Sequence, residues 1–275
     1  MSQYELIAFD MDGTLLNSSQ KITANTRQAI DRAVTAGKTV ILATGRCPSE
    51  LMDYREELQN IRYYICSSGA AVFDSLTESV LFSETIPENT VRKIMRTAEP
   101  ADAMLYIASG GRHMCTHREV LRMEHYQLGQ YKDLMMRTAL LHEDMISAYR
   151  QHPFPVEKLN IFCASPQIRK SLHDALKTLP VTMAYAEETS LEISPLHVSK
   201  ALGLKRICRH LSIPLEKTIA VGDSDNDSEI LKAAGFSAAM GNAAPHIKKL
   251  CQAIVADNDH EGCAEAIDDY LLGNS

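Results

Sequence analysis

Residues 6–14 read LIAFDMDGT, an apolar run that ends in two aspartates and a glycine. The pattern predicts a buried strand of an α/β sheet with polar groups at its end, where such folds place their chemistry. Residues two apart on a strand point to the same side, so we expect Asp10 and Asp12 to project into one site. Two close carboxylates repel each other unless a cation or a shared proton lies between them. Gly13 allows a tight turn with N–H groups open to an anion, although Asp-Gly is also an ordinary turn signal.

The composition predicts an acidic globular protein. The 275 residues suit one large or two moderate domains, and 45% of them are hydrophobic. No apolar run approaches the roughly 20 residues that span a bilayer, and no signal-peptide pattern opens the sequence, so we expect a cytoplasmic protein without a membrane partner. The net charge of −7 gives no attraction to nucleic acid, and seven scattered cysteines favour reduced thiols over a disulfide framework.

Strands and helices alternate at both ends of the sequence but not in its middle. The alternation predicts a parallel sheet built from residues 1–84 and 191–275. Residues 85–190 mix strands and helices without that rhythm, which indicates an inserted α+β domain of ordinary size. The fold class is therefore α/β, with a discontinuous core and a large insert.

A second acidic cluster, GDSDND at 222–227, follows the predicted strand 219–221. Its three aspartates are hard oxygen donors that suit Mg²⁺. Their spacing also matches the first ligands of a calcium loop, but that loop needs Gly at its sixth position and Glu at its twelfth. Ser228 and Ala234 stand there, so a calcium loop is excluded.

Two weaker signals fit an anion site. Thr44-Gly45-Arg46 follows a buried strand, and its hydroxyl and N–H groups could bind phosphate oxygens, although a plain turn has the same pattern. Lys200 lies near the start of a predicted helix, where the helix dipole disfavours a cation unless that cation reaches an anion. A solvated surface lysine is the alternative.

Read in order, these four segments resemble the haloacid dehalogenase superfamily of phosphatases. The segments are DMDGT at 10–14, Thr44 in ATGR, Lys200 in SPLHVSK and GDSDND at 222–227. The stretch AMGNA at 239–243, with residues 259–262 beyond it, resembles the Cof-type branch, subfamily IIB. The resemblance implies a Rossmann-like parallel core, with the insert as a cap domain that selects the substrate.

The resemblance also implies roles for particular residues. Asp10 would attack phosphorus to form an aspartyl-phosphate, and Asp12 would protonate the leaving group and then activate water. Mg²⁺ would be held by Asp10, the Asp12 carbonyl and Asp223, with Asp227 supporting them. The phosphate oxygens would be bound by Met11, Thr44, Gly45, Lys200 and Asn226.

Three departures from the family pattern argue against assigning a relative's substrate to this chain. Ser68, His197 and Ala201 stand where the family often has Asn, Gly and Gly. None is a proposed catalytic group, so the expected activity is Mg²⁺-dependent hydrolysis of a small phosphorylated metabolite, such as a sugar phosphate or phosphorylated cofactor, by a monomer or homodimer. A phosphomutase on the same core and a non-catalytic sensor of a phosphate ligand are the alternatives.

The insert contains one further candidate site. His113, Cys115 and His117 alternate along a predicted strand, so all three could face one side. A zinc site would use such ligands, but no fourth ligand is visible. Lining of a substrate cleft, plain surface positions and a zinc site are all compatible with the pattern.

Overall fold

A computed structural model describes residues 3–273 and divides them into two compact units. The first comprises the described residues up to Arg46, Asp53–Phe82 and those from Ser199 onward. The second comprises Cys47–Met52 and Ser83–Val198. The predicted insert, 85–190, ends too early, because strand Ser190–Pro195 pairs with strands Lys158–Cys163 and Val181–Tyr185 of the second unit. The sequence also gave no sign that Cys47–Met52 groups with that unit.

Alternating strands and helices account for most of the described chain. The strands are β1 (Leu6–Phe9), β2 (Thr39–Ala43), β3 (Tyr63–Cys66), β4 (Ala71–Asp74), β5 (Ser79–Ser83), β6 (Ala103–Ser109), β7 (Arg112–Thr116), β8 (Leu140–His142), β9 (Lys158–Cys163), β10 (Val181–Tyr185), β11 (Ser190–Pro195), β12 (Thr218–Gly222), β13 (Phe236–Ala239) and β14 (Ala253–Ile254). The helices are α1 (Ala24–Thr35), α2 (Glu88–Ala98), α3 (His117–Val120), α4 (Lys132–Thr138), α5 (Met145–Gln151), α6 (Pro166–Leu176), α7 (Lys200–Leu211), α8 (Ser228–Ala233), α9 (Pro245–Lys248) and α10 (Gly262–Glu265), the last continuing as a π-helical stretch, Ala266–Leu272. Short 3₁₀ turns lie at Pro48–Tyr54, Ser67–Gly69, Gly129–Tyr131, Leu215–Lys217 and Asp225–Asp227.

The first unit contains an eight-stranded sheet in the order β14-β13-β12-β1-β2-β3-β4-β5. The strands from β14 to β3 run parallel, and β4 pairs with β3 antiparallel. Strand β1 is central, with Leu6 opposite Thr39 on one side and Thr218 on the other. Because parallel strands end at the same edge, this register brings the ends of β1, β2 and β12 together.

Helices cover both faces of this sheet. Buried residues of α7, α8 and α9 pack on one face, against side chains such as Ala8, Ile41 and Ile65. Helix α1 and the C-terminal helical stretch contact β1 and β2 on the other. Thr23 caps the start of α1, since its side chain accepts from the N–H of Thr26 at 3.1 Å. Buried on both faces, the strands read as continuous apolar runs.

The second unit contains a six-stranded sheet in the order β10-β11-β9-β6-β7-β8, antiparallel except between β7 and β8. One face packs apolar residues against α2, α5 and α6. Part of the other face packs against residues from α3 to α4. Its mixed architecture is the expected α+β type.

The histidine and cysteine pattern of β7 does not form one face. His113 and Cys115 are buried on β7, but His117 begins α3 and is exposed. The strand ends at Thr116, so the two-residue period stops before His117. Among the described residues, the only cluster of three metal-ligating side chains lies elsewhere, in the first unit. A zinc site on these three residues is therefore not supported.

None of the helices in the described part of the chain is long and apolar enough to cross a membrane. The seven cysteines are free thiols, six of them buried.

Candidate active site

The site lies at the edge where β1, β2 and β12 end. Asp10 directly follows β1, Thr44 follows β2 and Asp223 follows β12. The N–H of Asp10 donates to the carbonyl of Val221 at 3.0 Å, which ties the first strand end to the third. The sheet register, rather than sequence proximity, therefore brings these groups together.

A buried lysine bridges two buried aspartates. Lys200 Nζ lies 2.5 Å from Asp10 Oδ1 and 2.7 Å from Asp227 Oδ1, and the three residues are 1%, 5% and 0% exposed. The same ammonium lies 3.4 Å from Asn226 Oδ1. Lys200 is the first residue of α7, where a cation is disfavoured by the helix dipole unless it reaches an anion. The anions that it reaches in the structure are the carboxylates of Asp10 and Asp227.

Burial and mutual charge shift the pKa values of the residues in this cluster. Burial raises the pKa of Asp10 above its ordinary value, Lys200 opposes that effect, and Asp227 adds to it. Burial alone would lower the pKa of Lys200, but Asp10 and Asp227 raise it above its ordinary range. Lys200 therefore places its ammonium beside the Asp10 carboxyl and favours the ionised form of that carboxyl.

Asp227 is already occupied by protein donors. Its Oδ2 accepts from the N–H groups of Asp223 and Ser224, both at 3.1 Å, while its Oδ1 faces Lys200. Ser224 and Asp227 together form a capping box on the 3₁₀ turn that follows β12. These bonds suit a residue that orients the loop and the lysine, which is the supporting position predicted for it.

Asp223 is held by the loop that follows Asp10. Thr14 Oγ1 donates to Asp223 Oδ1 at 2.7 Å, and Thr14 is 1% exposed. A Cβ on Gly13 would lie 2.7 Å from Asp223 Oδ2, and the φ of Gly13 is +79°. Burial raises the pKa of Asp223, an effect that the Thr14 hydrogen bond opposes. The glycine is therefore required by its backbone conformation and by the close approach of the carboxylate.

The donor set fits a hard divalent cation. Oxygens from Asp10, Asp223 and Asp227 all lie within 4.8 Å of one another. Carboxylate oxygens are the ligands that Mg²⁺ uses, with waters completing its shell. Since Asp227 is occupied by Lys200 and two N–H groups, Asp10 and Asp223 are the carboxylates available for direct contact. Asp225 lies outside the set, with its Oδ1 2.6 Å from His246 Nε2.

The carboxylate of Asp12 is not part of the Asp10, Asp223 and Asp227 cluster but forms an ion pair with Arg46. It accepts two hydrogen bonds from Arg46, from Nε at 2.9 Å and from Nη2 at 2.6 Å, and the Asp12 side chain is 51% exposed. Asp12 is therefore not one of the three clustered carboxylates, although its charge acts on Asp223, and its projection into one site with Asp10 stays a prediction. Strand β1 ends at Phe9, so the alternation of side chains does not extend through Asp12.

Of the predicted phosphate ligands, Met11 and Lys200 contact the Asp10 carboxylate. The Met11 N–H hydrogen-bonds the Asp10 carboxylate. Thr44 is buried, and its Oγ1 accepts from the N–H of Arg46 at 3.1 Å, which leaves the hydroxyl proton to donate. Gly45 lies between these two residues, whereas Asn226 is exposed. The phosphate-binding roles of these residues stay predictions.

Thr14 and Arg46 are site residues for which the sequence predicted no role. Both lie inside the motifs DMDGT and ATGR, so the motifs themselves pointed to these positions. Their partners, Asp223 and Asp12, could be identified only from side-chain positions.

Residues 7–267 match the family model of the haloacid dehalogenase-like hydrolases. The chain is a haloacid dehalogenase-like hydrolase. It is 30% identical to the phosphatase YwpJ of Bacillus subtilis strain 168 over 289 residues, covering 97% of this chain and 100% of that one. It is 27% identical to 5-amino-6-(5-phospho-D-ribitylamino)uracil phosphatase YcsE of the same strain over 276 residues, covering 98% and 96%.

The fold has the same affiliation. The solved structure of the subclass IIB sugar phosphatase BT4131 superposes with a TM-score of 0.80 at 22% identity, covering 98% of this chain and 99% of that one. The predicted α/β fold, the membership of the haloacid dehalogenase superfamily and the phosphatase class are confirmed. This haloacid dehalogenase-like hydrolase is thus a phosphatase.

Proposed function

We propose that this phosphatase hydrolyses small phosphomonoesters through an aspartyl-phosphate on Asp10, with Mg²⁺ as cofactor. The observation that supports this most is the environment of Asp10. It is a buried carboxylate beside the Lys200 ammonium, and oxygens of two further carboxylates lie within 4.8 Å. A carboxylate that is ordered, buried and partnered by a cation is suited to nucleophilic attack.

In the first step, one Asp10 oxygen attacks phosphorus and the bond from phosphorus to the ester oxygen breaks. The departing oxygen takes a proton from the Asp12 carboxyl and leaves as an alcohol. Because Arg46 binds the Asp12 carboxylate through two donors, Arg46 limits its orientation. The products are the alcohol and a mixed anhydride on Asp10.

In the second step, water attacks the phosphorus of that anhydride while Asp12 accepts its proton. The bond from phosphorus to the Asp10 oxygen breaks, which regenerates the carboxylate and releases inorganic phosphate. Asp12 thereby returns to the protonated form that starts the next cycle.

The remaining residues bind and neutralise charge. Asp10, Asp223 and the carbonyl of Asp12 would hold Mg²⁺, which when bound supplies positive charge beside the transferring phosphoryl group. Lys200, the Thr44 hydroxyl and the N–H groups of Met11 and Gly45 would face the phosphate oxygens, with Asn226 at the exposed side. Asp227 would keep Lys200 in place.

The names of two similar proteins and the presence of the second unit support a substrate class. YcsE is named for a phosphorylated ribitylamino-uracil and BT4131 for sugar phosphates. We propose a sugar phosphate or a phosphorylated cofactor precursor as the substrate here, with the second unit as the cap domain that selects it. A monomer or a homodimer is compatible with this role.

Two alternatives use the same site. A phosphomutase would pass the phosphoryl group from Asp10 to an acceptor hydroxyl instead of water. A sensor would bind phosphate without turnover. The filled set of reactive groups, Asp10, Asp12 and Lys200, favours an enzyme over a sensor.

The test compares phosphate release from 4-nitrophenyl phosphate by wild type, by Asp10→Asn and by Asp268→Asn, with Mg²⁺ or with a chelator. Asp268 is a partly exposed carboxylate of the first unit that pairs with Arg32, so its variant controls for loss of one charge. We expect release that depends on Mg²⁺, is abolished in Asp10→Asn and is retained in Asp268→Asn. Undiminished release by Asp10→Asn would refute the mechanism.

The intermediate has its own measurement. Asp12→Asn removes the acid of the first step and the base of the second, but 4-nitrophenolate departs without a proton, so the second step is the one that slows most with that ester. Intact-protein mass spectrometry after mixing this variant with 4-nitrophenyl phosphate should therefore detect one added phosphoryl group. Transfer to an added sugar hydroxyl without phosphate release would favour the phosphomutase.

A further inference from the structure

The loop after Asp10 is held by side chains from the far end of the chain. Three of its carbonyls accept hydrogen bonds from such side chains: Gly13 O from Asn242 Nδ2 at 2.7 Å, Leu16 O from Asn258 Nδ2 at 2.9 Å, and Thr14 O from Cys263 Sγ at 3.3 Å. The donors lie in or near the two stretches, AMGNA and residues 259–262, that no catalytic role above has used.

The two asparagines are also joined to each other. The N–H of Asn258 donates to Asn242 Oδ1 at 3.3 Å, so each asparagine amide contacts the loop while their segments contact one another. Neighbouring residues extend the attachment: Asp259 accepts from the N–H and hydroxyl of Ser18, at 2.9 and 2.6 Å. The attachment therefore continues beyond the two asparagines along the same loop.

Asp12 is directly connected to both attached positions, because Gly13 follows it in the chain and Leu16 pairs with it. It forms a single β-bridge with Leu16, and the N–H of Leu16 donates to the carbonyl of Met11 at 2.9 Å. Asn242 fixes the peptide that begins at Gly13, and Asn258 fixes the one that begins at Leu16. The backbone on both sides of the bridge is therefore set by amides that donate from outside the loop.

Burial does not account for these amides. Asn242 is exposed and Asn258 is only partly buried, so neither contributes a core side chain. In contrast, an error of about 1 Å in the position of a reacting group can cost on the order of 100-fold in rate. Donors that limit the conformations of the loop would act on the rate more than on the fold.

We propose that Asn242 and Asn258 are positioning residues that hold the backbone of Asp12, so that its carboxyl is placed to donate a proton to the leaving group. The inference rests on the proposed function, because it assigns Asp12 that proton transfer. Asn242 and Asn258 would then contribute to the reaction without contacting the substrate.

The test uses leaving groups that differ in their need for a proton. A 4-nitrophenolate departs readily as an anion, whereas phenolate is a poorer leaving group and gains more from a general acid. We measure kcat/KM, which reports the steps up to loss of the leaving group, for 4-nitrophenyl phosphate and phenyl phosphate. The variant is Asn242→Asp, which keeps the shape and the acceptor for Asn258 but replaces the N–H donor with a carboxylate oxygen.

For Asn242→Asp we expect kcat/KM to fall about tenfold for phenyl phosphate and less than about twofold for 4-nitrophenyl phosphate. Asn258→Asp should show the same ratio, which keeps the test valid if one variant does not fold. Asn60→Asp is the matched control, since Asn60 is exposed and its amide donates to Asp31 away from the loop. Its ratio should equal that of wild type.

The failures of the two proposals are distinguishable. Equal losses for both esters in folded Asn242→Asp and Asn258→Asp, or no loss, would overturn the positioning role while leaving the phosphatase mechanism intact. Absence of turnover of both esters by wild type would overturn the proposed function and, with it, this inference.

Discussion

A methyl group on Gly69 would lie 2.0 Å from the carbonyl oxygen of Ser199, the residue that precedes Lys200. The turn after β3 thus packs directly on the backbone at the start of α7. The same turn donates from Ser67 N to the carbonyl of Arg46 at 2.9 Å and from Ser68 N to that of Thr44 at 3.2 Å. One turn therefore contacts the backbone beside two predicted phosphate ligands.

Gly69→Ala should reduce activity although no reacting group is changed. Its φ of +101° disfavours alanine, and the added methyl must displace Ser199 and with it Lys200. We expect kcat to fall on the order of 100-fold, as a 1 Å misplacement can cause. Gly37→Ala is the control, because Gly37 also has positive φ, +77°, but open space around its Cβ position. Equal kcat losses in both variants would show that backbone strain, rather than the displacement of Lys200, is responsible.

Lys200→Met should destabilise the protein as well as inactivate it. The change leaves Asp10 and Asp227 buried without their cation, and removing one partner of a buried ion pair costs about 3–5 kcal/mol. Urea unfolding should show a loss of this size. Adding Asp227→Asn should recover part of it, because the pair is coupled. Strictly additive losses in the double variant would contradict the coupling.

Thr14→Val should weaken the binding of Mg²⁺ at Asp223 rather than slow the chemical step. The variant keeps the volume of the side chain but removes the 2.7 Å hydrogen bond to Asp223 Oδ1. Loss of a partner that orients a metal ligand typically costs about 10–100-fold in metal affinity. We expect the Mg²⁺ concentration for half-maximal activity to rise by about tenfold, with little change at saturating Mg²⁺. Thr97→Val, which removes a helix-surface hydroxyl, should leave the Mg²⁺ curve unchanged.

Asp74 should make part of the stability depend on pH. Hydrogen bonds from Arg62, at 2.7 Å from Nη2, and from the Leu76 N–H lower the pKa of Asp74 below its ordinary value of 3.8. A lowered pKa in the folded state contributes stability that is complete above the ordinary pKa and is lost as pH falls through the folded value. The urea midpoint of Asp74→Asn should therefore lie below that of wild type at about pH 7, and the gap should narrow toward about pH 3. A gap independent of pH would show that the carboxylate charge is not the cause.

The site was predictable wherever chemistry follows a strand end. Asp10, Thr44 and Asp223 stand directly after apolar runs, and the edge of a parallel sheet collects such residues. Lys200 was predictable because a cation at a helix start needs an anionic partner.

What escaped prediction depends on side-chain direction or on distant pairing. The Asp12 carboxylate forms an ion pair with Arg46, and the alternation of side chains along β1 could not predict this pair because the strand ends at Phe9. Strand β11 joined the second unit through its pairing with β9 and β10, which the sequence pattern does not encode. Likewise, Asn242 donates to a carbonyl 229 positions earlier in the chain.

The pairing of β1 with both β2 and β12 has a consequence for synthesis of the chain. During translation, Leu6–Phe9 can pair with Thr39–Ala43 early, but its other edge stays open until Thr218–Gly222 has left the ribosome. Strand β1, which leads into Asp10, thus keeps one open edge while most of the chain is synthesised, and an open edge is prone to pair with other chains. Codon-level slowing or chaperone binding across this interval would therefore act on the yield of active enzyme.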